Sequence, residues 1–136
     1  MKGKVAIVPC SGIGKSYGSV AREGAFEVTH DLCREKTRLV PLALLVLGDD
    51  EARSALAETQ AITIDGCRLA CAAKVVAESG GTVAHKLRVF DVFRRHRNLK
   101  PSGIAELNEN GKKLARILAD EIKELVEGMQ GGTGGA

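Results

Sequence analysis

Short apolar runs that alternate with helical stripes constrain this chain more than any other feature. "KVAIVP" (4–9) reads as a buried strand, because it is short, β-branched and bounded by glycines. Residues 17–32 read as a helix, with Ala21, Ala25, Val28 and Leu32 on one stripe. "TRLV" (37–40) is a second strand ended by Pro41. Asp49 and Asp50 open a helix that runs to about Glu58. "AITID" (61–65) is the third strand, and "CRLACAAKVVAES" (67–79) a helix ended by Gly80-Gly81. "KLRVFDVF" (86–93) reads as the fourth strand. A last helix over about 108–129 carries Leu114, Ile117, Leu118, Ile122, Leu125, Val126 and Met129 on one face.

Strands separated by helices pair in parallel through right-handed crossovers. The expected fold is α/β: a small doubly wound (Rossmann-like) sheet of four parallel strands in the order 2-1-3-4, with helices on both faces. In such sheets ligands sit beyond the carboxyl ends of the strands, here the loops after Pro9, Val40, Asp65 and Phe93. One domain over 1–130 is expected, followed by a disordered Gly-rich tail over 131–136.

Composition narrows the function. Apolar residues make up 44% of the chain and aromatics only 3%, so the core is aliphatic. A net charge of +3 does not argue for nucleic acid. The cluster Arg94, Arg95, Arg97, Lys100 reads as a solvated face without an interleaved aromatic platform. "MKGKVAIVPC" turns polar too quickly for a signal peptide. The longest apolar run, "LVPLALLVL" (39–47), is broken by Pro41 and falls short of the ~20 residues a membrane helix needs. The expectation is a cytoplasmic protein with neither nucleic acid nor membrane as partner. There, four cysteines read as metal ligands or redox thiols before disulfides.

The loop "PCSGIGKSYG" (9–18) raises the choice between phosphate and metal. Gly14-Lys15-Ser16 matches the end of a phosphate-binding P-loop, but the position five before Gly14 is Pro9 instead of glycine. A weaker anion site stays open, built on Ser11, Gly12, Gly14, Lys15 and Ser16 at a helix amino terminus.

"IDGCRLACAAK" (64–74) is the most informative stretch. Cys67 and Cys71 are four apart at the start of the expected helix, so they share a face. Gly66 permits a tight turn and close approach, and Asp65 can cap the helix or accept a hydrogen bond from a group lining the site. With strands one and three adjacent, Cys10 falls on the same rim. Three sulfur donors suggest tetrahedral zinc. Cys33, at the far end of a helix roughly 24 Å long, reads as a packed thiol away from that rim. His85 lies before the fourth strand, His96 past it, and His30 on the first helix.

At these residues the chain resembles the DGC domain family, whose central motif stands here as Asp65-Gly66-Cys67. "PCSGIGKSYG" is similar to its opening Cys-Ser-Gly segment and "ITIDGCRLACAAKVV" to its central one, a likeness covering most of residues 4–80. The resemblance implies zinc held by four cysteines, with no assigned biochemical role. Cys10, Cys67 and Cys71 match the ligand positions. Pro41 stands where the fourth cysteine is implied, which leaves three ligands and an open position for a small anionic or thiol ligand. Two other classes remain: a thiol–disulfide redox protein, and a small anion-binding enzyme with Cys10 as nucleophile. The latter lacks the arginine that such loops carry. Whether the chain is an enzyme is undecided on sequence, and a homo-oligomer is open.

Overall fold

β1 (Val5–Pro9), β2 (Thr37–Leu39), β3 (Gln60–Asp65) and β4 (Thr82–Arg88) form one sheet of order β2-β1-β3-β4 in a computed structural model, which describes residues 4–10, 16–66, 70–103 and 106–135. Every pairing is parallel, with Ile7 level with Leu39 on one side and Ile62 on the other. The expected order and class are those observed.

Parallel strands covered on both faces must be apolar throughout, and β1 is buried at all five positions. α1 (Ser16–Glu27), α5 (Val89–Arg95) and α6 (Glu109–Gly135) pack together, while α2 (Leu42–Leu47) touches α3 (Asp50–Ala57) and α4 (Cys71–Glu78). α1 runs on into a π-helical segment, Val28–Leu32. Ile7, Ile62, Ile64, Leu114, Leu118 and Ile122 are fully buried, each contributing about 1.5–3 kcal/mol of transfer free energy. Gly24 lets α1 close on α6, since a Cβ there would lie 2.8 Å from Leu118 Cδ2.

Three elements differ from the sequence reading. The fourth strand lies over Thr82–Arg88 instead of 86–93, and residues 89–95 are helix α5. Val89 and Val92 are buried three residues apart, Asp91 occupies the first turn, and Arg94 and Arg95 the last. That charge order suits the helix dipole, and the three-residue spacing is helical. Within "LVPLALLVL", Pro41 opens α2 instead of breaking an apolar run, and Gly48 closes it at φ 78°. Proline's fixed φ suits a helix start. Finally, α4 begins at Cys71, four residues later than expected, because Ala70 takes a left-handed φ of 55°.

α6 extends to Gly135, beyond the expected helix end. Among the described residues no helix is long and apolar enough to cross a membrane.

Candidate functional site

The carboxyl ends of β1 and β3 converge on one contact. The Gly66 amide donates to Cys10 Sγ at 3.1 Å, joining residues 56 apart in sequence. The Cys10 amide in turn donates to Ile64 O at 2.8 Å, so the parallel ladder continues one residue past β1 and seats the cysteine. Cys10 is 5% exposed.

Gly66 is there because nothing larger fits. A Cβ on it would lie 2.8 Å from Gly18 N and 2.9 Å from Tyr17 C, both backbone atoms of the first turn of α1. The turn after β3 is thus pressed between Cys10 and α1. Ser16 opens α1 and is half-buried.

Asp65 holds the other side of the turn. Its side chain is fully buried, and Oδ1 accepts from the Ala72 amide at 2.8 Å. Because Ala70 supplies no side-chain cap to α4, Asp65 caps the helix from seven residues upstream. Oδ2 has no hydrogen-bond partner among the described residues, and neither has Thr63 Oγ1, two positions earlier on the same face of β3. Burial pushes the Asp65 carboxyl above its ordinary range, against the opposing pull of the Ala72 and Ala73 amides and Lys86.

Cys71 is the exposed first residue of α4. Ala70, left-handed at φ 55°, stands just before it, so the described helix opens at Cys71. Cys67 itself lies outside the described residues, as do Ser11, Gly12, Gly14 and Lys15. Among the described residues no group of three or more His, Cys, Asp or Glu side chains is arranged to hold a metal.

The other described cysteine, Cys33, and the histidines each have their own surroundings. Cys33 follows the π-helical segment and is 4% exposed, near the amino end of β1, where the Val5 amide meets Lys36 O. Burial first, then Glu127, pushes its thiol up. His30 stacks edge-on against Phe26 with centroids 5.3 Å apart. His85 lies within β4, level with Ile62, instead of ahead of the strand, and His96 ends α5.

Sequence reading passed over the aromatic cluster beside this rim. Tyr17 of α1 stands 5.9 Å from Phe93 and 6.5 Å from Phe90 of α5, centroid to centroid. Reading 86–93 as a strand concealed it, because Phe90 and Phe93 fall on one side only when the segment is helical.

Fold and rim together define a small parallel α/β protein whose first strand delivers a cysteine to an Asp-Gly turn after the third. The family model described as DGC domain matches residues 6–126. The chain belongs to the DGC domain family. No curated protein matches it, and no solved structure does.

Proposed function

We propose that this chain is a metal-binding protein in which Cys10, Cys67 and Cys71 hold zinc at the carboxyl rim of the sheet. The observation that supports it most is the Gly66 amide on Cys10 Sγ. It seats the first cysteine against the Asp65-Gly66 turn that leads into Cys67 in sequence. A backbone amide aimed at sulfur is also the outer-shell contact that orients a metal-bound thiolate. Membership of the DGC family points the same way. Zinc takes thiolates at about 2.3 Å in tetrahedral geometry, and three cysteines leave its fourth position to a small anion or thiol.

Within this reading the chain's own residues have distinct roles. Asp65 fixes the start of α4, and so the Cys71 backbone, through Ala72. Gly66 lets the motif lie against α1. Protein purified without chelator should carry about one zinc equivalent per chain. Cys67→Ala should lose it, and Cys33→Ala should keep it. Metal-free protein, or retention by both Cys10→Ala and Cys67→Ala, would overturn the reading.

A further inference from the structure

Two exposed features lie at opposite edges of the sheet and are complementary to one another. The first is an open groove of about 250 Å³ at the carboxyl end of β2, lined by Arg38, Leu39, Pro41, Leu44, Asp49 and Glu51 among others. Beside it α2 leaves Leu44, Val46 and Leu47 exposed, the last at 80%. Between residues 38 and 58 stand four carboxylates, Asp49, Asp50, Glu51 and Glu58, against two cations, Arg53 and Arg38, the latter paired with Glu51 at 3.4 Å.

The second feature is Phe90, 41% exposed at the start of α5. Between residues 88 and 100 stand five cations, Arg88, Arg94, Arg95, Arg97 and Lys100, against one carboxylate, Asp91.

The groove is open and has more room than the ~150 Å³ cavity that takes up benzene, a volume sufficient for a phenylalanine ring. The signs of charge match around ring and groove. Phe90 also stands in a segment rich in arginine, a residue type enriched at interface hot spots. α2 follows β2 and α5 follows β4, the two outermost strands. One chain therefore cannot fill its own groove.

We propose that a second copy of this chain fills it: Phe90 and its arginines dock into the groove between β2, α2 and α3 of the next molecule. The contact joins unlike surfaces, so it is head-to-tail and propagates into short chains or a ring. It depends on no metal.

Analytical ultracentrifugation of the full chain over a concentration series tests this. At low salt the mass should rise above the 14.4 kDa of one chain, and high salt should lower it. Phe90→Asp and Leu44→Glu should each sediment as single chains. Mixed together they should give a species of two chains and nothing larger, since each keeps the surface the other has lost. Arg94→Glu, at a side chain 59% exposed, should weaken association while keeping the wild-type circular dichroism, which separates docking from folding. A wild-type monomer at every concentration would leave the groove to some other partner and overturn the proposal. So would variants that associate like wild type, or a mixture that stays monomeric.

Discussion

Gly66 donates its amide to Cys10 across 56 residues of sequence, while its α-carbon lies too close to α1 to carry a side chain. The two facts are linked. The amide reaches the sulfur because the turn is pushed fully against α1, and only glycine allows that.

Gly66→Ala forces the added carbon onto backbone atoms of Tyr17 and Gly18, which cannot rotate away. The expected cost is about 1–3 kcal/mol, the usual range for overpacking. Urea unfolding should show a lower midpoint with an unchanged slope. Zinc binding should weaken with it.

Asp65→Ala removes the acceptor for the Ala72 amide, and about 1–3 kcal/mol should be lost with that buried donor unpaired. Asp65→Asn keeps an oxygen acceptor and should cost less. The pH response has a definite sign. Burial raises the folded-state pKa above its ordinary 3.8, so the folded chain binds more protons than the unfolded one between those values. Stability is then highest below about pH 4 for this group and falls as pH rises through the folded pKa. Unfolding of metal-free protein across that range should show the decline in wild type and a flatter profile in Asp65→Asn.

Cys33 and Cys71 should differ in reactivity. Cys71 is exposed at a helix start, whereas Cys33 is buried and its thiol pushed above 9.0. With metal removed, alkylation at neutral pH followed by peptide mass mapping should label Cys71 at least about tenfold faster. Equal rates would contradict the packing around Cys33.

Leu118→Ala should cost about 2–5 kcal/mol, because Leu118 is fully buried where α6 meets Gly24. Thermal unfolding measures it. Zinc stoichiometry below the transition should be unchanged, since the residue lies in the interface of α1 and α6 and away from the cysteine rim.

The sheet was legible because β1 and β3 are apolar, β-branched and short, and α6 because its stripe spans several turns. What misled was local chemistry that serves two structures. Val89, Phe90, Val92 and Phe93 are good strand formers, yet here their spacing buries Val89 and Val92 on a helix. β4 is an edge strand carrying Thr82, His85 and Lys86, so it lacks the continuous apolar run that marks a central strand. Pro41 opens one helix where it was read as ending a strand and breaking an apolar run.

At the site, Cys10, Asp65 and Gly66 could be placed from strand ends alone. The left-handed Ala70 could not, since alanine rarely takes that conformation and no residue type announces it. Asp65 acting on Ala72 from seven residues away was equally hidden, because capping is ordinarily sought at the residue just before the helix.

The close fit of Gly66 ties the placement of the turn after β3 to that of the first helix. The same helix is seated on α6 at Gly24, where a Cβ would meet Leu118. The first helix is thus placed by two glycines, one facing it and one its own, and neither position takes a larger side chain without a shift of its neighbours.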